Sequence, residues 1–389
     1  MLITDVTTIP LHVDLDEPYM DSREFVGYRQ ALLVEVHTDE GVRGLGESAV
    51  WGGPHITTMT VIEHELKPLL IGEDPLFVEG LWTKMYEQSM QHGRRGLVLA
   101  AMGGLDIALW DIVGKVAGLP LYQLFGAFRT HVRPYASHGF YKASRSVEVL
   151  ADEMSDLRKR GFTAFKMKVG RQRPIPYLHG AQECVTSLEE DYRRVRAVRN
   201  AVGPDAELII DANNAWTDKI ALGVLEALSD VNLFFLEEPV PTDDIEGSIR
   251  LASRSRTPIG GYETETSRFG FRDLIERRAI DVAQPDACWT GGLSEARKVA
   301  ALAGVHNMLC VPHSFSTAVA MTANAHLVGS IANGEFVEWD QNSNPLVDEL
   351  LTEPFQLTSE GRLPIPAGPG LGIELNPDTV ARYRAPTLG

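Results

Sequence analysis

The second half of the chain repeats one unit: a short apolar run closed by a single polar residue, about every 25 residues. Leu208-Ile209-Ile210 ends in Asp211, Leu233-Phe234-Phe235-Leu236 ends in Glu237, and the run from Pro258 ends in Glu263. The runs from Ile280, Met308 and Phe336 end in Asp286, His313 and Glu338. Successive gaps are 26, 26, 23, 27 and 25 residues. Roughly 25 residues is one strand, one helix and two short loops, the βα unit of a barrel. Polar groups at the carboxyl ends of successive parallel strands face one rim, where barrel enzymes hold their chemistry. One such residue alone is usually a helix cap or a solvated loop residue. Six in phase, three carboxylates followed by an Asp and a His one unit apart, read as an active site.

The alternation starts near His131. Strands are expected at 131–137, 162–169, 207–212, 233–238, 258–263, 280–286, 308–313 and 335–339, and eight in phase favour a closed barrel over a doubly wound sheet. Upstream, 31–37 alternates like an antiparallel strand and runs into Thr38-Asp39-Glu40-Gly41, a hairpin turn with Gly where φ must be positive. From about 56 to 125 the period becomes helical. Leu105, Leu109, Ile112 and Val116 fall on one stripe, and Gly118-Leu119-Pro120 stops that helix. The expected division is an α+β domain over 1–128, the barrel over 129–344, and a Pro- and Gly-rich tail over 345–389 that returns to the first domain. One unit is long: Lys168 to Asp211 is 43 residues. The surplus, near Arg171 to Val185, falls on the catalytic rim as a lid, a specificity loop or a solvent-exposed decoration.

A net charge of −17 argues against nucleic acid and anionic membranes as partners, while a local cation still admits an anionic substrate. Cys184, Cys288 and Cys310 are odd in number and in no paired spacing, which suits reduced thiols. With no signal-like amino terminus and no long apolar run, the chain reads as cytoplasmic. A small carboxylate is the expected partner, and a homo-oligomer the expected assembly.

Asp211, Glu237 and Glu263 offer hard oxygen ligands from three adjacent strands, which fits Mg²⁺, with Mn²⁺ as the alternative, and not Zn²⁺. Glu238 shadows Glu237, but strand neighbours face opposite ways and only one can point at a metal. Glu265 shadows Glu263 in the same way. Lys166 and Lys168, two apart on a strand, project to one side. A lysine beside another ammonium and a metal is expected to have a depressed pKa, as a general base requires. His313 with Asp286 forms a second base, the carboxylate orienting the imidazole. Glu338, if protonated, would donate to a substrate oxygen. These parts have one natural use: removal of the proton α to a carboxylate, with the enediolate stabilised by the metal and Lys166.

At these residues the chain resembles the mandelate racemase subgroup of the enolase superfamily, over essentially its whole length. Lys166-Met167-Lys168, Asp211-Ala212-Asn213, Glu237-Glu238-Pro239, Glu263, Pro285-Asp286 and His313 stand in the family's order, as does the helix around 105–111. The resemblance implies an α/β fold, a modified TIM barrel (β/α)7β, with an α+β cap built from the amino-terminal region and the returning tail. It implies Mg²⁺ on Asp211, Glu237 and Glu263, Lys168 as base on one face, and His313 tuned by Asp286 on the other. Lys166 and Glu338 would bind the substrate carboxylate and Asn213 the α-hydroxyl region. Tyr262 departs from the family's usual Gly, and the insertion is atypical. Dehydration of a sugar acid is the commoner outcome in the subgroup, racemisation or epimerisation of a 2-hydroxy acid the alternative, and a non-catalytic sugar-acid-binding barrel a third reading. Specificity would come from Tyr19 to Arg29, Trp51 to His55 and the insertion, with Arg29, Arg171 and Arg173 as candidates for a distal hydroxyl or carboxylate.

Overall fold

Eight short parallel strands carry the barrel: β4 (His131–His138), β5 (Ala164–Lys168), β6 (Glu207–Asp211), β7 (Phe235–Glu237), β8 (Ile259–Gly261), β9 (Val282–Ala283), β10 (Leu309–Cys310) and β11 (Phe336–Asp340). They follow β1 (Ile3–Met20), β2 (Phe25–Thr38) and β3 (Arg43–Ser48), which form a separate antiparallel sheet. The computed structural model describes residues 1–51, 53–173 and 185–387, so most of the insertion after Lys168, Cys184 included, lies outside the described residues.

The barrel sheet runs β10-β9-β8-β7-β6-β5-β4-β11. A helix of eight or more residues follows each strand but the last, giving seven βα units and a closing strand. Among the described residues no ladder joins β10 to β11; the Cys310 N–H instead donates to the Asn333 carbonyl at 2.8 Å. Strand alternation separates two buried layers. Phe165, Met167, Leu208 and Ile210 face the surrounding helices. Tyr135, Ala164, Ile209, Phe235, Val282, Val311 and Phe336 fill the inside. Lys166, Lys168 and Asp211 keep the inward phase, so the same period that packs the barrel aims its polar residues at the rim.

Several ladders are shorter than expected. The strand expected at 280–286 pairs only at 282–283, and that at 308–313 only at 309–310. Beyond these ends the backbone turns to present side chains: Asp286, Glu263 and His313 all stand past the last ladder pair. Asp286 is also a helix cap, its Oδ1 accepting from the Cys288 N–H at 2.8 Å, so the modest reading of that residue is half of the truth.

The cap itself is held together by close packing. Helix Leu97–Ala117 lies on β3 where that strand has Gly44 and Gly46; a Cβ on Gly46 would come within 2.0 Å of the Gly104 carbonyl oxygen. Leu105, Leu109 and Ile112 are fully buried in this contact, whereas Val116 is 49% exposed because the helix end overruns the sheet. Gly118 ends the helix in the left-handed conformation. This is the one described helix long and apolar enough to cross a membrane, and 83% of its most apolar window is buried inside the protein.

Two further cap segments reach the barrel. The turn between β1 and β2 holds itself by Asp21 Oδ1 accepting from the Arg23 and Glu24 N–H groups, and Ser22 Oγ donates to the Ala212 carbonyl. The tail packs in two places. Leu363–Pro364 pairs antiparallel with β4, while helix Pro377–Tyr383 lies on β1, where the Ala385 N–H donates to the Pro10 carbonyl.

Glu47 at the end of β3 ties cap to barrel. Its Oε2 accepts from Thr317 Oγ1 at 2.5 Å and from the Ala320 N–H at 2.9 Å, while Oε1 has no partner. Burial pushes its carboxyl up to about 7 despite these bonds. A folded pKa above the unfolded one means this stability is fully present below about 4.5 and is lost as pH rises through about 7. At about 1.36 kcal/mol per pH unit the interval is worth about 3 kcal/mol. Glu47→Gln should therefore gain thermal stability relative to the parent between pH 5 and pH 8. A pH-independent difference between the two would refute this.

Candidate active site

Lys166, Lys168, Asp211, Glu237, Glu263, Asp286, His313 and Glu338 converge at the carboxyl ends of the strands. All are buried except Glu263, whose side chain is 13% exposed. Register explains the first four: Lys168 pairs with Asp211 across β5 and β6, and Asp211 with Glu237 across β6 and β7. One ligand atom from each of Asp211, Glu237 and Glu263 falls within 4.8 Å of the others. Glu237 Oε2 is buried without a hydrogen-bond partner, as is Asn213 Oδ1, while Glu263 Oε2 has the ring of His313 as its neighbour. Buried acceptors are rarely left unmatched. Three hard oxygen donors, one of them carrying an orphaned atom, fit a divalent cation.

The two lysines sit differently. Lys166 Nζ lies 2.6 Å from Glu237 Oε1 and 2.7 Å from Glu338 Oε1, and Lys168 Nζ donates to Asp211 Oδ2. The expectation of a depressed Lys168 pKa does not hold for this arrangement. Burial and Lys166 push it down, yet contact with Asp211 and the charges of Glu263 and Asp21 raise it.

At the other end of the triad, His313 Nε2 lies 3.1 Å from Glu263 Oε2, and Nδ1 lies 2.8 Å from Asp286 Oδ2. Burial disfavours the imidazolium, but Glu263, Glu338 and Asp286 together hold its pKa up to about 10. That is higher than a group poised near neutrality, and it favours the protonated ring between these carboxylates. Trp51 from the cap sets its ring edge 5.1 Å from the imidazole and stacks on Trp289.

Glu338 is no donor. Its Oε1 pairs with Lys166, while Oε2 accepts from Tyr135 Oη at 3.0 Å and from the Ser314 N–H at 3.1 Å. Burial would raise its pKa, but Lys166, His313 and Lys168 bring it down to about 2. Glu238 turns away from the triad with φ of 43° and accepts from the Glu263 N–H and Asn214 Nδ2, so it supports the Glu263 loop. Glu265 accepts from the Thr266 N–H and lies 3.8 Å from Arg95.

Three arginines are not brought to the site as free cations. Arg29 is buried, donating to Tyr19 Oη and the Phe315 carbonyl, 3.4 Å from Asp340 Oδ2 and 3.7 Å over the Phe315 ring. Arg171 is buried and donates to the Asp21 carbonyl. Arg173 borders a separate hollow with Gly170, Gln172 and Trp216. Tyr262 spends its hydroxyl on Ser248 Oγ at 2.5 Å.

The profile for the mandelate racemase / muconate lactonizing enzyme N-terminal domain matches residues 3–126, and that for the enolase C-terminal domain-like fold matches 149–379. The chain belongs to the mandelate racemase / muconate lactonizing enzyme family. It is 36% identical to the arabinonate dehydratase of Saccharolobus solfataricus, over 91% of each chain. It is 34% identical to the D-galactarolactone cycloisomerase of Agrobacterium fabrum, over 99% of this chain and 100% of that one. The crystal structure of a racemase from Streptomyces coelicolor with bound magnesium superposes with a TM-score of 0.88 at 28% identity, over 99% of this chain and all of the other.

Sequence reasoning passed over Tyr135 and, although it pointed to the segments Tyr19 to Arg29 and Trp51 to His55, did not say which of their residues meet which strand. Tyr135 holds Glu338 across the barrel seam, Trp51 rests on His313, and Asp21 and Glu24 come from the β1–β2 turn. Glu24 is exposed overall, yet its carboxyl lies among charges: desolvation with Asp21 and Glu263 pushes it up to about 7. The inward phase of β4 could have pointed to Tyr135, but nothing local to Trp51 tells which strand it meets.

Proposed function

We propose that the protein is a Mg²⁺-dependent dehydratase of a sugar acid, an aldonate or aldarate, yielding a 2-keto-3-deoxy acid. The observation that carries the reading is the placement of Lys168 at the Asp211 end of the carboxylate triad and of His313 at its Glu263 end. A substrate carboxylate held between them presents its α-proton to one and its β-hydroxyl to the other. Asp211, Glu237 and Glu263 would hold Mg²⁺, with Mn²⁺ as the alternative, and the bound cation would supply positive charge toward an enediolate and against a raised Lys168 pKa.

The chain's residues then divide the work. Lys168 Nζ takes the α-proton, and the C–H electron pair passes into the enediolate. Lys166 neutralises charge on the substrate carboxylate, with Glu338 fixing the ammonium. Asn213, with a free amide oxygen, receives the α-hydroxyl. The β C–O bond breaks as His313 gives its proton to the departing hydroxyl, which leaves as water. Asp286 keeps Nδ1 occupied so that Nε2 faces the substrate. The enol product tautomerises to the 2-keto acid.

The relative named arabinonate dehydratase supports the elimination. The structure named a racemase favours a second reading, inversion at the α-carbon by the same two groups. Incubating the Mg²⁺-loaded protein with a library of mono- and dicarboxylic sugar acids and trapping products with semicarbazide separates the two. The expected result is keto product from 2,3-dihydroxy acids. Epimers without keto product would move the assignment to racemase or epimerase, and binding without α-proton exchange to a sugar-acid-binding barrel.

A further inference from the structure

A cavity of about 230 Å³ lies between the cap and the rim, bounded by Glu24, Tyr28, Arg29, Gln30, Trp51 and Phe315 among others. It adjoins the reacting groups, since Trp51 rests on His313 and Phe315 follows two residues after it. The far end of a substrate whose carboxylate lies at the triad would occupy this space. Resting on the dehydratase reading, we propose that the substrates are monocarboxylic sugar acids and that the cavity selects an uncharged, hydroxylated end over a second carboxylate.

The cations decide this. A buried carboxylate needs charge-assisted donors, without which its desolvation is not offset. Arg29 is the only Lys or Arg among the described residues of the lining. Its donors go to Tyr19 Oη and the Phe315 and Ser316 carbonyls, its charge to Asp340, and its face to the Phe315 ring. Lys166 and Lys168 belong to the reacting end. Arg23, on the exposed turn, offsets part of the charge of Glu24. Residues 174–184 contain neither Lys nor Arg.

The remaining charge is of the wrong sign for a diacid. Glu24 borders the cavity and Asp21 lies in the same turn behind it, so a second substrate carboxylate beside an ionised Glu24 meets like charge. What the lining offers instead suits a polyol: the Trp51 and Tyr28 rings for C–H faces, and Ser316 and Glu24 for hydroxyls. Glu24 serves in either protonation state, accepting as carboxylate and donating as acid.

The test uses the full-length Mg²⁺-loaded protein and hexonates paired with hexarates of the same configuration. Calorimetric Kd is measured for each pair, with kcat/KM where product forms. At least about a tenfold preference for the hexonate is expected, the fold-change that one unrelieved like-charge contact of about 1.4 kcal/mol produces. Glu24→Lys should narrow or invert the preference, and Glu24→Gln, which preserves shape, should narrow it less. Equal or tighter binding of hexarates by the parent overturns the inference. So does a parent preference that both Glu24 variants leave untouched. A hexonate preference in binding without keto product would uphold this inference while refuting dehydration, so the two failures are distinguishable.

Discussion

Glu237→Gln should lose at least about a thousandfold in turnover while the fold survives, because enediolate charge has no other sink of comparable strength. The loss is specific to the ligand set. Glu237 Oε1 also holds Lys166 at 2.6 Å, but Lys166 keeps Glu338 at 2.7 Å, so the substitution leaves no buried ammonium unpaired. The glutamine is isosteric and retains one oxygen, which limits the cost to the barrel. Asp211→Asn should behave likewise, with the further effect of loosening Lys168. The parent stripped with EDTA should be inactive and regain activity with Mg²⁺. Circular dichroism and thermal melting of the variants without metal should match the stripped parent. Full turnover by rigorously stripped protein would defeat the metal assignment, and a variant that binds Mg²⁺ with parental affinity would remove Glu237 from the ligand set.

The barrel rim was legible because one rule governs both its packing and its chemistry. Period-two alternation puts Ile209 inside and Ile210 outside, so Asp211 falls inside with Ile209, and the 25-residue repeat carries that phase from unit to unit. Glu237 could be separated from Glu238 on the same ground. The cap contacts were not legible. Ser22 meets Ala212, 190 residues away, and Trp51 meets His313, through loops whose path no local pattern specifies. Arg29, read as a substrate cation, sits on an ordinary-looking strand, and only the fold shows Asp340 and Phe315 consuming it. The contacts that set the Lys168 pKa from the protein's side were hidden for a related reason. Lys168 is decided by which carboxylate touches it, and spacing along a strand gives neighbours without giving contacts.

Lys168→Ala and His313→Asn should fail in different ways. With Lys168 removed, α-proton exchange in D₂O should fall by about 10³-fold or more for sugar acids whose α-proton faces that side, the upper range for loss of a general base. With His313 removed, water loss should stop, since its Nε2, 3.1 Å from Glu263, is the group assigned to protonate the leaving hydroxyl, while Lys168 still supports exchange. The replacement amide fills much of the imidazole space against Trp51, so Asp286 stays sheltered, with Oδ1 bound to the Cys288 N–H. Both variants should bind Mg²⁺, which separates a missing proton carrier from a collapsed site. The assignment rests on where the two groups touch the carboxylates: Lys168 on Asp211, His313 on Glu263, at opposite ends of the triad. Exchange and keto-product formation lost together and to the same degree in both metal-loaded variants would mean that one group performs both proton transfers, and the divided arrangement would have to be abandoned.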